Sequence, residues 1–321
     1  MAQSTGTTDT YDLVGLAEDV EDVIFNISPE ETPFLSMAKR KKATNTLHQW
    51  QTDSLAAAAA NRSIEGDDST YATAAPTTML SNYCQIAKKT VMVSGTADAV
   101  RKYGRKEEFA YQIAKRGKEL KRDIEFALIQ NQASSAGSST VARSAAGLES
   151  MVTNYVVGAG NTTGTTPGYA AGLWSAPTDG TATAATEGHL VSALELAWTD
   201  GGDPSVLMTN TTLKRRIATF GGAQKFSGVQ VTGQRSAQAV VIGGVDLYIS
   251  DFGEHKVMLN RYMRQNILLG IDPEYASVAF LRPIKFEERA KTGDATRGEL
   301  LCEFTLVGDN PDAHCKLMSL N

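Results

Sequence analysis

YGRKEEFAYQIAKRGKELKRDIEFALIQNQ, residues 103–132, reads as one long and highly charged helix. Phe109, Ile113, Leu120, Ile124, Ala127 and Leu128 recur at spacings of three, four and seven, so a single apolar stripe runs down one side. About 29 residues at 1.5 Å rise would span roughly 43 Å, well beyond an ordinary globular helix. Such a helix works as a beam: one side packs, and the others face water or neighbours. Gly117 interrupts it at a cost of about 1 kcal/mol relative to Ala. Arg101, Lys102, Arg105, Lys106, Lys115, Arg116, Lys118, Lys121 and Arg122 gather on and just before the beam. They read either as a solvated face relieved by pairs such as Lys121–Glu125 and Lys115–Glu119, or as a face towards nucleic acid or an acidic neighbour.

On the N-terminal side, residues 11–27 form an acidic amphipathic stretch with Leu13, Leu16, Val20, Val23, Ile24 and Ile27 on one helical face. Residues 9–31 hold eight acids and no bases; Lys39, Arg40, Lys41 and Lys42 then reverse the sign. Thr32 and Pro33 look like a helix start, with Ser28 to Glu31 as a competing capping box. Residues 44–55 have strand composition around Trp50, residues 56–75 are Ala-rich and then polar, and residues 76–94 return extended. Two arms of about 17 residues would reach roughly 55 Å. With few large apolar side chains this excursion builds no core of its own, so it needs another surface to lie on.

Beyond the beam, residues 158–186 are mostly Gly, Thr, Ala and Pro and read as a loop. Thr186 and Asn210 cap short helices, and 204–208, 238–250 and 255–260 read as strands, which makes a compact α/β lobe. Residues 266–321 are strand-rich, with turns at 291–294 and 308–311. Their alternation supplies an apolar face around Val278, Phe280, Leu301, Phe304 and Leu306 for the helix stripe.

The chain has 321 residues, enough for two lobes, and a formal net charge of −5, which argues against a nucleic-acid binder by overall charge. No run approaches the ~18 apolar residues of a membrane span. Three distant cysteines do not make a disulfide framework. The Gly158–Gly164 run has one residue too many for a dinucleotide fingerprint, and residues 222–228 lack the order of a phosphate-binding loop. The four histidines sit in four separate segments, and His314–Cys315 near Cys302 reads as packed strands in preference to a metal site. No nucleophile elbow is present. No motif supports catalysis, a cofactor or a metal.

Three blocks carry a family resemblance: SPEETPFLSMAKRKKATNTLHQWQTDSL (28–55), EEFAYQIAKRGKELKRDIEFALIQN (107–131) and DPEYASVAFLRPIKFEERAKTGDATRGELLCEFTLV (272–307). Together with the order of parts, they resemble the major capsid (major head) proteins of tailed bacteriophages. These have the Hong Kong 97-type fold, which encapsulin shells and herpesvirus capsid floors share. The resemblance implies an α+β chain with an N-terminal arm (1–43) and an extended β-hairpin loop (44–94). A peripheral domain with a spine helix (95–140) follows, then an α/β axial domain (141–262) and closing strands of the peripheral domain (263–321). It implies a non-enzymatic subunit that forms hexamers and pentamers of itself and closes an icosahedral-type shell around double-stranded DNA. Such a shell belongs to the virion and is assembled in the host bacterial cytoplasm. Portal, scaffold and cement proteins are the implied partners, with non-specific DNA contact and no membrane. Trp50, Arg62, Glu65, Asp67, Asp68 and Tyr71 on the loop and Phe34 on the arm become candidate inter-subunit residues. Lys39, Arg40, Lys41 and Lys42 become candidate DNA-facing residues, and Phe109, Ile113, Leu120, Ile124 and Leu128 the spine-helix core. The other readings are an encapsulin-like cellular shell, marked by a cargo groove, and a stand-alone enzyme or binding protein, marked by a monomer with a pocket.

Overall fold

The computed structural model describes residues 30–68, 71, 73–74, 76–157, 166–220 and 246–320. The acidic stretch 11–27, the first half of the Ser28–Glu31 capping box and most of the 238–250 strand lie outside them.

The long helix, α3, spans Glu108–Ile129, 22 residues, or roughly 33 Å. It runs unbroken through Gly117, where an added Cβ would meet nothing within 4 Å. It begins later than its periodicity suggests. A short helix, α2 (Gly95–Ala99), precedes it, and Gly104 between the two sits at φ +74°, a left-handed value that stops helical propagation.

Beneath α3 lies a four-stranded sheet in the order β1 (Lys39–Lys42), β12 (Ala276–Arg289), β13 (Ala295–Gly308), β4 (Gln85–Ser94). Leu120, Ile124 and Leu128 are buried against Val278, Leu300, Cys302, Phe304 and Leu306, with Phe280 at the margin. Leu301 does not belong to that set. Strand side chains alternate with period two, so a residue an odd number from Phe304 points to the opposite face; Leu301 shares that face with Glu303, Thr305 and Val307. The stripe is also less uniformly buried than its pattern suggests. Phe109 and Ile113 are only half-buried, because this end of α3 meets the outer end of the β12–β13 ribbon. There Phe109 packs edge-on against the partly exposed Phe286, with ring centroids 5.9 Å apart.

The second lobe is a six-stranded mixed sheet in the order β5 (Asn154–Val157), β14 (Cys315–Met318), β11 (Leu268–Ile271), β8 (Val206–Thr209), β10 (Gly253–Leu259), β9 (Leu247–Ser250). Helix α5 (Glu187–Thr199) buries Leu190, Ala193, Leu194 and Ala197 in this lobe's core. Thr186 caps α5 by accepting from the His189 amide, and Asn210 caps α6 (Thr211–Ile217) by accepting from Leu213. Within residues 158–186, read as a loop, the structure shows a hairpin, β6 (Gly168–Ala170) and β7 (Leu173–Ser175). Its Trp174 is buried, and the indole N–H donates to the Ser81 carbonyl at 2.8 Å.

Among the described residues, the two arms of the excursion pair with each other only at the base, where β2 (Leu47–Thr52) meets β3 (Thr78–Tyr83) over six residues. After Tyr83 the chain leaves this hairpin, and β4 pairs with β13 in the sheet under α3.

Candidate functional site

The base of the excursion belongs to its own subunit. Trp50 is half-buried and packs against the core under α3 and a smaller cluster of Ala43, Cys84, Ala279 and Val307. Beyond it, every described residue from Asp53 to Met79 is exposed. Arg62, Glu65, Asp67, Asp68 and Tyr71 all lie on this tip; Leu55 is 99% and Tyr71 97% exposed. No described strand or helix lies between Thr52 and Thr78. An open cleft of about 1000 Å³ runs beside the base, lined by Asp53, Leu55, Tyr169, Trp174 and Asp312 among others.

The four cations of β1 divide by the same period of two. β1 runs parallel to β12, with Lys39, Arg40, Lys41 and Lys42 in register with Ser277, Val278, Ala279 and Phe280. Lys39 donates to the Glu274 carbonyl at 3.0 Å, and Lys41 is ion-paired with Asp309, which also accepts from Ser277 Oγ. Arg40 and Lys42 lie on the α3 side of the sheet with Val278 and Phe280, exposed and with no ion pair among the described residues. The basic run therefore splits into two anchoring cations and two available ones.

Phe34 is a correction. The arm helix α1 (Pro33–Met37) buries Phe34 completely in the subunit's own core, so it is not available to a neighbour. Thr32 makes no side-chain cap. The cap comes from Glu125, near the C-terminal end of α3, whose carboxylate accepts the amides of Phe34 at 2.8 Å and Leu35 at 2.7 Å. It also accepts from Asn260 Nδ2 at 2.6 Å, just past β10. Burial pushes this carboxyl above the ordinary range, and the three donors offset that only in part. The solvated pairs expected on the helix are replaced: Glu125 is buried, and Glu119 pairs with Arg116 in place of Lys115.

A second buried charge cluster joins the lobes. Glu149, in α4 (Leu148–Met151), lies 3.2 Å from Arg264, which also pairs with Asp179. Lys316, fully buried on β14, donates to the Glu149 carbonyl and lies 5.9 Å from the Tyr155 ring. Desolvation raises the Glu149 carboxyl to about 7 and lowers the Lys316 ammonium to about 7. The stability contributed by Lys316 is present above its unfolded pKa and is lost as pH falls through about 7. That from Glu149 is present below its unfolded pKa and is lost as pH rises through about 7. Both leave the subunit weakest near neutrality. Replacing both buried ions, Glu149→Leu together with Lys316→Met, is expected to gain about 1–4 kcal/mol near pH 7, because apolar side chains replace a buried ion pair, and to lose part of that gain towards both acid and alkaline pH. Urea denaturation of the unassembled subunit across pH checks this; a gain that does not vary with pH would contradict it.

None of these clusters is built for catalysis. The three thiols are buried and pushed up, to about 11 for Cys84 and about 12 for Cys302 and Cys315, so little nucleophilic thiolate forms. Cys302 and Cys315 lie in different sheets rather than on neighbouring strands. His314 is buried, held down to about 4, and accepts from the Asp272 amide at 3.1 Å. A Ser–His contact, Ser250 Oγ to His255 Nε2 at 2.7 Å, locks the β9–β10 turn; the other ring nitrogen faces the Pro204 carbonyl. Among the described residues no helix is long and apolar enough to cross a membrane.

The model of the SU10 major capsid protein family matches residues 3–321. The major capsid protein of Escherichia phage Phieco32 is 40% identical over 125 residues, covering 39% of this chain. That match spans 36% of the relative's own length. Among solved structures, the cyanophage A-1(L) capsid asymmetric unit superposes with a TM-score of 0.65 at 14% identity, covering 97% of this chain and 98% of that one. The capsid of a native GTA particle superposes at 0.61 with 10% identity, covering 95% and 96%. At such identities the structures show a shared fold, the Hong Kong 97-type capsid fold. With its family matched over nearly the whole length, this chain belongs to the SU10 major capsid protein family, as a structural subunit and not an enzyme.

Proposed function

We propose that this subunit associates with copies of itself, as hexamers and pentamers, into a closed icosahedral-type shell around double-stranded DNA in the virion of a tailed bacteriophage. The observation that carries this reading is the tip between Asp53 and Met79: exposed in every described residue, it gains nothing from its own fold. Exposed apolar side chains such as Leu55, Ile64 and Tyr71 gain burial only against another molecule. Many modest contacts of this kind, repeated by symmetry, close a shell. Tip residues Arg62, Glu65, Asp67, Asp68 and Tyr71 serve these contacts, and Arg40 and Lys42 contact DNA phosphates without sequence preference. Portal, scaffold and cement proteins are the further partners, and assembly takes place in the host bacterial cytoplasm.

Size-exclusion chromatography with light scattering, followed by negative-stain microscopy, tests the reading. Closed particles are expected; a folded monomer at all salt and protein concentrations would overturn it. Deleting residues 56–75 is expected to change subunit stability by less than about 0.5 kcal/mol while abolishing particles. Equal losses of stability and assembly would instead show that the tip belongs to the subunit's own core.

A further inference from the structure

β4 is an edge strand: it pairs with β13 on one side, and no described strand follows on the other. One hydrogen bond fixes which of its groups face the open side. The Gly95 amide donates to the Asp294 carbonyl at 3.2 Å, and these two residues continue the β4–β13 register from Ser94 opposite Ala295. Bonded pairs alternate along an antiparallel ladder, and this register runs through ten consecutive pairs. Gln85, Ala87, Lys89, Val91 and Val93 therefore turn their amides and carbonyls to β13, while Ile86, Lys88, Thr90 and Met92 turn theirs outwards. Among the described residues no hydrogen bond reaches these outward groups. All four residues are exposed, Ile86 at 46% and Met92 at 66%. An open edge with exposed apolar side chains is a template for another strand.

We propose that the occupant is β4 of a second copy, paired antiparallel across a two-fold axis so that the two four-stranded sheets join. This contact presumes the self-association proposed above but uses a surface separate from the tip. The strand is complementary to itself in one register. With Lys89 on the axis, Ile86 stands opposite Met92 and Lys88 opposite Thr90, each twice. All four outward residues of both copies are then bonded, through about eight hydrogen bonds, and apolar side chains face each other across an isologous contact. Sliding the copies by two residues one way would set Lys88 against Lys88. Sliding them the other way would set Ile86 against Ser94, whose side chain caps α2. Lysines on an edge ordinarily oppose pairing. Here Lys88 meets Thr90, and Lys89, which meets its own copy, is already ion-paired with Asp123 of α3 at 2.6 Å. The helix stands back from the edge, its buried stripe packed with Val278 of β12 and Leu300, Phe304 and Leu306 of β13.

Disulfide trapping in the full chain tests the pairing. The three native cysteines are buried, so introduced thiols report alone. Lys89→Cys would place two thiols on the axis, with Cα atoms about 4.5 Å apart, inside the disulfide range. Rapid crosslinking to a dimer on oxidation with diamide is expected. Lys88→Cys and Thr90→Cys chains, mixed before assembly, should crosslink to each other. Either chain alone should crosslink several-fold less, because like positions lie diagonally about 7–8 Å apart. Equal yields in mixed and separate samples would overturn the pairing. Closed particles in which no variant forms the disulfide would overturn it and leave the shell reading intact. Slow amide exchange across residues 86–92 in such particles would give the edge to a different strand, and overturns the pairing as well. A disulfide-linked dimer that never closes into particles would keep the pairing and overturn the shell.

Discussion

Glu125→Ala is expected to destabilise the subunit by about 3–5 kcal/mol, the scale of breaking a buried charged network. The carboxylate is buried and satisfies three donors from two other parts of the chain: two amides of α1 and the side chain of Asn260 beyond β10. Each buried donor left without a partner costs about 1–3 kcal/mol. The loss is structural in a specific sense, because the same group caps α1 and ties α3 to the lobe of the six-stranded sheet. Hydrogen exchange should therefore show α1 and the 260–264 turn opening together, well before β13. Urea denaturation of the unassembled subunit measures the size of the effect. A change below about 1 kcal/mol would mean that water replaces the carboxylate and that the arm is held by Phe34 alone.

Ile124→Ala should cost about 2–5 kcal/mol, since the side chain is fully buried between α3 and the strands. Ile113→Ala, about three turns earlier on the same stripe, should cost clearly less, because that position is only half-buried. Lys118→Ala removes one exposed ion pair with Glu30, 54% and 39% exposed, and should change stability by less than about 1 kcal/mol. Equal costs at 113 and 124 would show that the outer end of α3 is covered in solution by something beyond the described residues.

Much of the architecture is local and was legible. The three- and four-residue recurrence from Phe109 to Leu128 specifies an amphipathic helix, and Thr186 and Asn210 announce their helices by side-chain chemistry. Alternation through residues 276–308 specifies two strands, but the apolar face expected from it wrongly took in Leu301, which lies an odd number of residues from Phe304 and so on the other face. The poverty of large apolar residues between 53 and 77 signalled a segment with no core of its own. These signals act between residues two to four apart, or through composition, so the chain carries them without its fold.

Other features needed the fold. Glu125 pairs with α1, ninety residues away; by spacing alone it was an ordinary solvated partner for Lys121. Phe34 reads as an exposed arm residue until the helix it starts is seen seated on the spine. Trp174 lies in a Gly- and Thr-rich stretch, and its burial follows only from the approach of Ser81. The split of Lys39–Lys42 into anchored and available pairs depends on the parallel register with β12, some 240 residues later in the chain. The periodicity of a segment states which residues share a face. Which face meets the core, and which charge meets which partner, is decided by contacts whose entropy of closure no local pattern encodes.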